Sequence, residues 1–361
     1  ENAAVEGALL PIALAGNTPR VYYAHDRITF ATQLSTILDS VASASSTRVP
    51  PVFGTAGTPT AVGATQYQFS AGFNLTPGLP WSGQLVRQRT VCESPTMGAP
   101  PVPTDKPVDL SQGDDFGYNL QAAQRALRPG VGPRYLWTFV PNGATAPSAL
   151  TGNIINADTT MVGFARALTD LTSVPSLFSY STSTEVSTLL AWLRGDAGTA
   201  RQFRPLGDVY RSTPVNVPAP LLDLPDQSFT GYRSLPLTRA GASSAVNAAP
   251  SLRRADVRVG SREPMIYVGT NDGVLHAFDT DTGDEVWGFV PPYLVPTLRT
   301  RYPSTRAFGV DGTPVVKEVV YERSALSPAV ASSWRTVLVV GLRNGGPAFV
   351  ALDVTDPYQP K

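Results

Sequence analysis

Residues 265 to 290 carry three short apolar segments separated by residues typical of tight turns. The first turn is Asn271-Asp272-Gly273 and the second is Thr282-Gly283-Asp284, and these residue types tolerate the positive φ angles of short hairpin turns. The third segment contains Trp287 and Phe289, which favour a half-buried pleated surface. The pattern predicts a three-stranded antiparallel meander. Such a sheet cannot bury its own faces, so we expect further sheets of the same kind.

A second, weaker copy of the pattern lies between Trp334 and Asp353. It predicts strands over 337–341 and 349–353 with a turn at 344–346. A Thr-Pro-Val segment precedes each copy, at residues 213–215 and 313–315. We therefore predict that Asp279 and Asp353 end equivalent strands, and that long unequal insertions separate the repeated units.

Other patterns predict a smaller set of elements. Residues 67–73 alternate as a half-buried strand, and helical spacing occurs near 120–127 and 185–194. The stretch from Cys92 to Val108 holds five prolines and predicts an ordered coil or linker. The segment Pro218 to Arg258 is too long for a plain connection and predicts an insertion at the rim of the sheets.

Composition narrows the possible functions. The chain has 34 Pro and 31 Gly among 361 residues, and 28 basic residues balance 28 acidic ones. A net charge of zero gives no field for nucleic acid, so no nucleic-acid partner is expected. No run approaches the ~18 apolar residues of a membrane span. The single cysteine, Cys92, allows no internal disulfide and is either a free thiol or paired with a partner.

Catalytic and cofactor-binding residues are not found in the sequence. The two histidines are His25 and His276, which are too few for a His-rich metal site, and Cys92 has no Cys partner at a zinc spacing. No nucleophile elbow, phosphate loop or dinucleotide fingerprint occurs. We therefore predict a protein that is not an enzyme, and a His276 that is packed or hydrogen-bonded within a strand.

Two short motifs have both a functional and a structural interpretation. Asp279, Asp281 and Asp284 supply oxygens suited to calcium, but no distal bidentate Glu follows, and a turn capped by Asp side chains is the favoured interpretation. Arg194-Gly195-Asp196 is the tripeptide that integrins recognise. It follows an apolar helical pattern, in which Gly195 is favoured as the helix stop.

Several segments, taken in order, resemble the PilY family of type IV pilus biogenesis factors and tip adhesins. The densest is the run from Tyr267 to Pro291, with its Asn-Asp-Gly turn, its Leu-His-Ala-Phe-Asp strand and Trp287. The other segments are Trp81 to Leu85, Trp192 to Asp196, Leu206 to Val215 and Trp334 to Leu342.

The resemblance implies a bacterial protein exported through the periplasm to the cell surface and the pilus tip. Its partners would be minor pilins at the tip and a host or abiotic surface. It also implies a C-terminal β-propeller, of which residues 196–361 would form the N-terminal part. No cofactor is implied in this segment, and calcium would bind an Asp-x-Asp-x-Asp loop further downstream.

The family often carries an N-terminal von Willebrand factor A-like domain with an Asp-x-Ser-x-Ser motif, which this sequence lacks. The amphipathic helix predicted over Tyr22 to Ala44 would suit the last helix of such a domain. We thus expect a helix-bearing tail over 1–48, a β-rich mixed domain over 49–195, and the partial propeller after it. The fold class is mainly β with a few helices.

Two alternative functions remain open because other classes of protein contain propeller blades with a similar pattern. A periplasmic quinoprotein dehydrogenase shares the Val-Gly-x-x-Asp-Gly pattern of the meander. An outer-membrane assembly scaffold is built from similar blades as well.

Overall fold

The computed structural model describes residues 52–53, 65–75, 80–94, 100–127, 134, 136–141, 163–220, 226–237, 257–303, 305–320 and 333–361. All of them belong to one compact unit, Ser45–Lys361. The helix expected over Tyr22 to Ala44, and the tail over 1–48 that contains it, lie outside the described residues.

The described residues form thirteen strands and four α-helices. The strands are β1 (Val52–Phe53), β2 (Thr65–Asn74), β3 (Ser82–Glu93), β4 (Val102–Lys106), β5 (Leu136–Pro141), β6 (Gly163–Ala167), β7 (Val215–Val217), β8 (Met265–Gly269), β9 (Leu275–Asp279), β10 (Glu285–Phe289), β11 (Val315–Val320), β12 (Trp334–Gly341) and β13 (Phe349–Asp353). The helices are α1 (Phe116–Asn119), α2 (Ala122–Leu127), α3 (Ser183–Arg194) and α4 (Gln227–Ser234).

The strands assemble into three sheets. The first has the order β1-β2-β3-β4, the second β6-β5-β10-β9-β8-β7 and the third β11-β12-β13. Neighbouring strands are antiparallel except β5 and β10, which run parallel. The prediction of a mainly β fold with a few helices is confirmed. The described strands do not close into a ring.

The two predicted repeats fold alike. Asp279 is the last residue of β9 and pairs with Met265, while Asp353 is the last residue of β13 and pairs with Val337. In both meanders this strand is the third, so the predicted equivalence of Asp279 and Asp353 is confirmed.

The second sheet lies between the other two. Along β8 the side chains alternate, and Ile266 and Val268 join a buried apolar cluster with residues of the first sheet such as Phe69 and Leu85. On the opposite face, Tyr267 joins a different cluster that includes residues of the third sheet. Third-sheet members of that cluster are Leu338, Val340 and Leu352. Burial on both faces explains the nearly continuous apolar run of this meander.

The first strands of the three meanders lie next to one another. β7 contacts both β1 and β11. The backbone N–H of Thr213, just before β7, donates to Oγ1 of Thr313, just before β11, at 3.0 Å. The repeated Thr-Pro-Val segments therefore occupy neighbouring and equivalent places.

Arg87 joins the first sheet to the second. Its side chain is 2% exposed, and its Nη1 donates to the carbonyl oxygens of Thr280 at 2.6 Å and Asp281 at 2.5 Å, in the turn after β9. Its Nε donates to Asp114 at 2.9 Å. A planar guanidinium presents five N–H donors in a fixed fork and can serve these separate acceptors at once.

The prediction of coil from Cys92 to Val108 is wrong in part. Cys92 lies in β3, where it is buried, and β4 pairs with β3 so that Pro103 lies opposite Cys92. β4 is an edge strand, and an edge tolerates the missing N–H of proline. The Cys92 thiol is free.

The predicted helices are present with adjusted bounds. The segment near 120–127 forms the two short helices α1 and α2. Helix α3 begins with a capping box in which Thr182 and Glu185 satisfy each other's backbone N–H groups.

The predicted rim insertion and the segment that follows β10 pack against the sheets where they are described. In the insertion Pro218 to Arg258, Phe229 of α4 contacts Trp334 edge-to-face, with ring centroids 4.9 Å apart. In the segment after β10, a 3-10 helix over Pro292–Thr300 buries its apolar side and exposes Tyr293.

Candidate functional site

Polar side chains collect at one end of the second sheet, around the turn that joins β8 to β9. In this turn Gly273 has a φ of +100°, as the Asn-Asp-Gly sequence predicts. The turn also packs closely on Gly207, where an added Cβ would lie 2.3 Å from Cγ of Asp272. Gly207 therefore lets two separate segments of the chain meet at this end of the sheet.

A fully buried ion pair underlies the turn. Arg134 binds Glu285 through two contacts, Nε to Oε2 at 2.6 Å and Nη2 to Oε1 at 3.0 Å. His276 Nδ1 lies 2.6 Å from the same Oε1. Burial alone would raise the pKa of Glu285, but the Arg134 charge and the His276 hydrogen bond outweigh it and hold that pKa far below its ordinary value.

Thr270, His276 and Glu285 are arranged like a nucleophile, base and orienting acid. Thr270 Oγ1 lies 3.0 Å from His276 Nε2. However, all three side chains are at most 1% exposed, and the Thr270 hydroxyl also contacts Asp272 and the carbonyl oxygen of Val274. A closed arrangement of this kind fixes the turn and gives a substrate no access to Thr270. His276 is thus packed and hydrogen-bonded within its strand.

Asp272 forms a second buried ion pair near the first. Its Oδ2 accepts from Nη2 of Arg201 at 2.5 Å, and the Arg201 guanidinium lies over the ring of Trp192, 4.8 Å from its centroid. Burial opposes ionisation of Asp272, but the Arg201 charge and the Thr270 hydrogen bond leave its pKa below the ordinary value.

Arg306 is held by aromatic rings. Its guanidinium carbon lies 4.2 Å from the ring centroid of Trp81, 4.4 Å from that of Tyr210 and 4.9 Å from that of Phe308. Its carboxylate neighbour is Asp208, at 3.4 Å. Asp208 Oδ2 accepts a shorter hydrogen bond, 2.8 Å, from Nδ2 of Asn271.

A small cavity of about 30 Å³ opens between these groups. Its lining includes Trp81, Trp192, Arg201, Asp272, Arg301 and Arg306. It offers guanidinium edges beside aromatic rings, which suits recognition of a small anionic group.

The turn that contains Asp279, Asp281 and Asp284, for which the sequence suggested calcium binding as an alternative to capping, is capped by the side chain of Asp279. Asp279 Oδ1 accepts from the backbone N–H groups of Asp281 and Thr282, both at 2.9 Å, and its Oδ2 accepts from the Tyr358 hydroxyl. Asp353 accepts from Thr355 N–H in the same way. Within the described ranges no three His, Cys, Asp or Glu side chains are grouped to hold a metal ion.

The Arg-Gly-Asp tripeptide ends helix α3. Gly195 is the C-cap with a φ of +76°, as predicted, and its N–H bonds back into the helix. The side chains of Arg194 and Asp196 pair with each other. The tripeptide is therefore used in the local fold.

Sequence reasoning missed the arginines of this site. Arg134 and Glu285 are 151 residues apart, and Arg201 and Asp272 are 71 apart. No spacing rule connects such positions. The Asn-Asp-Gly turn was the one sequence feature that indicated this part of the site. His25, the other histidine, lies outside the described residues.

None of the helices in the described part of the chain has the length and apolar character needed to cross a membrane.

Comparison with known proteins gives a consistent set of relatives. The chain is 34% identical over 179 residues to the type IV pilus biogenesis factor PilY1 of Pseudomonas aeruginosa strain PAK, which covers 46% of this chain and 13% of that protein. Two PilY1 homologues of Xylella fastidiosa are 36% and 32% identical over 154 and 192 residues, covering 42% and 49% of this chain and 11% and 12% of theirs. The resemblance to the PilY family inferred from the sequence is confirmed by these relatives.

The matched segment spans about an eighth of the length of these curated relatives. No family model matches the chain, and no solved structure matches it.

Proposed function

We propose that this chain acts in the assembly of type IV pili, as a tip-associated structural and adhesive protein. The observation that carries the proposal is its similarity to proteins named type IV pilus biogenesis factor PilY1 in two bacterial genera. The matches cover at most 49% of this chain among the relatives above, so the remaining support comes from the fold.

The three sheets support a partial β-propeller as the scaffold. Each meander begins with one strand, β1, β7 or β11, and these three strands are neighbours. The sheets follow one another in chain order and pack face to face, which is the arrangement of consecutive propeller blades around an axis. The hairpin β5-β6 widens the middle blade at its outer edge.

A scaffold of this kind would work by presenting fixed surfaces. Stacked sheets with buried cores hold their edges and connecting segments in defined positions, and such segments are where binding functions concentrate. We propose minor pilins at the pilus tip, and a host or abiotic surface, as the partners that these segments contact.

Deleting residues 207–361 from the chromosomal copy tests the assembly role. This deletion removes the strands β7 to β13, so we expect surface pili to be lost while the major pilin is still made. Pili are counted by electron microscopy and pilin is measured in whole-cell extracts. The matched control carries Phe203→Ala, an exposed side chain just outside the deletion, and should be piliated normally.

Normal piliation of the deletion strain, in a background without a second such protein, would overturn the assembly role. The contact with minor pilins is tested separately. Purified minor pilins should be retained by the immobilised chain, and failure to retain any of them would contradict the proposed tip contact.

A further inference from the structure

Arg306 is held in place by aromatic rings, but its N–H donors lack well-placed acceptors in the described part of the chain. Three aromatic rings fix its guanidinium plane, yet its one hydrogen bond to a carboxylate, from Nε to Asp208 Oδ2, is 3.4 Å long. Charge-assisted hydrogen bonds of this type are ordinarily about 2.7–2.9 Å long. Nη2 of Arg306 is buried, and its nearest carboxylate oxygen is the same Asp208 Oδ2, also 3.4 Å away, so no described residue accepts a well-formed hydrogen bond from it. A buried charged donor with only a long contact to its acceptor costs free energy that a better-placed ligand oxygen could recover.

The cavity beside Arg306 also has an excess of positive charge. Three guanidinium groups, those of Arg201, Arg301 and Arg306, line it together with two carboxylates, those of Asp208 and Asp272. Arg301 is 4% exposed, and the acceptors of its hydrogen bonds are the carbonyl oxygens of Asn271, Thr297 and Phe308 and the Thr297 hydroxyl. Burial lowers the pKa of Arg301 because its charge is only partly compensated.

The cavity lining also contains a neutral hydrogen-bond donor that lacks an acceptor among the residues that the structure describes. Trp192 is 4% exposed, and no described residue accepts a hydrogen bond from its indole N–H. Buried indole N–H groups usually have an acceptor. The cavity of about 30 Å³ has room for roughly two water-sized groups. Two oxygens on one planar group fit this size.

We propose that this cavity is a binding site for a carboxylate group, with the guanidinium edge of Arg306 as its main anchor. A carboxylate presents two coplanar oxygens that match the fork of an arginine, and it neutralises the one excess positive charge. The carboxylate belongs either to a small free acid or to an acidic side chain of a protein that docks on this end of the sheets.

Tryptophan fluorescence of the chain reports on the site directly, because Trp81 stacks on Arg306 and Trp192 lines the cavity. One arm titrates sodium acetate at constant ionic strength. The other arm titrates a blocked tetrapeptide, acetylated and amidated, with one central Asp, and compares it with the Asn version. We expect a saturable change with at least one of these carboxylates and none with the Asn peptide.

The anchor is tested with Arg306→Gln, which should raise the apparent Kd at least 10-fold, since it removes the charge and the fork. Arg306→Lys keeps the charge but loses the fork, and should also weaken binding. It takes the place of the glutamine variant if that variant does not fold. Arg335→Gln is the matched control. Arg335 is also a partly exposed arginine, paired with Asp353 at 3.2 Å, and does not line the cavity, so its variant should bind like the original chain.

The two arms separate the sources of the carboxylate. Equal or tighter binding of acetate supports a small free acid, whereas at least 10-fold tighter binding of the Asp peptide supports an acidic partner protein. The proposal is overturned if neither carboxylate gives a saturable change, or if folded Arg306 variants bind as tightly as the Arg335→Gln control.

Discussion

Trp287 joins the second sheet to the segment that follows β13. It is completely buried, its indole N–H donates to the carbonyl oxygen of Pro357 at 2.9 Å, and its ring lies 5.8 Å from that of Tyr267. Large aromatic side chains dominate buried contact area, so a tryptophan in the third apolar segment is expected to pack against a neighbouring strand or sheet. The structure agrees and adds the hydrogen bond to Pro357.

Replacing Trp287 with alanine should therefore be severe. We expect Trp287→Ala to lower the free energy of unfolding by about 3–5 kcal/mol, since it leaves a large cavity in the core. Phe203→Ala, at a position that is 70% exposed, should change it by less than about 0.5 kcal/mol. Denaturant unfolding of both variants measures the difference. A loss below about 1 kcal/mol for Trp287→Ala would contradict its place in the core.

Glu285 is the second residue whose side chain should contribute strongly to the stability of the fold. Glu285→Gln keeps the shape of the side chain but leaves the Arg134 charge buried without a carboxylate. Breaking a buried ion pair in this way costs about 3–5 kcal/mol. We expect a loss of this size in the free energy of unfolding at pH 7.

The pH dependence of this loss follows from the pKa of Glu285. Because that pKa is lowered on folding from an ordinary value of 4.5, ionised Glu285 stabilises the fold above pH 4.5, and this contribution declines as the pH falls further. The difference in unfolding free energy between the original chain and Glu285→Gln should thus be constant above about pH 5.5 and shrink below 4.5. Comparing the two chains cancels the titration of other carboxylates. A difference that stayed constant down to pH 3 would contradict the lowered pKa.

At the scale of elements, local patterns predicted the meanders well. Both repeats fold where the alternation of apolar segments and Gly-Asn-Asp turns placed them. The strand β4 was missed because its prolines suggested coil, and only its position at a sheet edge makes them acceptable. An edge position depends on the neighbours that a strand acquires in the fold, which no local pattern encodes.

The turn between β9 and β10 gives a prediction at this scale. Gly283 has a φ of +71°, and an added Cβ would lie 2.2 Å from the carbonyl oxygen of Gly113, next to the first sheet. Gly198 has a φ of +83° with nothing within 4 Å of an added Cβ. Gly198→Ala should cost about 1–2 kcal/mol from the left-handed backbone alone.

Gly283→Ala should cost clearly more than Gly198→Ala, because the turn must also move away from the backbone at Gly113. Thermal and denaturant unfolding of the two variants provide the comparison. Equal losses would show that the turn does not pack against this segment.

At the scale of the whole molecule, the sequence predicted the class of fold and the family resemblance but not the assembly of the second sheet. That sheet combines β5 and β6 with strands that follow residue 196, and the parallel pair β5-β10 joins Leu136 to Gly288. The arginine-lined cavity depends on the same long-range packing. Contacts between such distant residues leave no periodic signal.

The free face of the third sheet gives the prediction for the whole molecule. Val315, Val339 and Phe349 are 56%, 40% and 81% exposed, on a sheet whose opposite face is buried against the second sheet. Val315 and Val339 are paired across β11 and β12 and share that free face. If the three sheets are consecutive propeller blades, this face should be covered by a further antiparallel meander in the whole gene product.

An experimental structure of the whole gene product tests this account most directly. We predict that the sheets β1-β4, β7-β10 and β11-β13 follow one another around a common axis, with β1, β7 and β11 nearest to it and a further meander packed on Val315 and Val339. A structure in which these two valines face solvent, or in which the three sheets do not share an axis, would contradict the account.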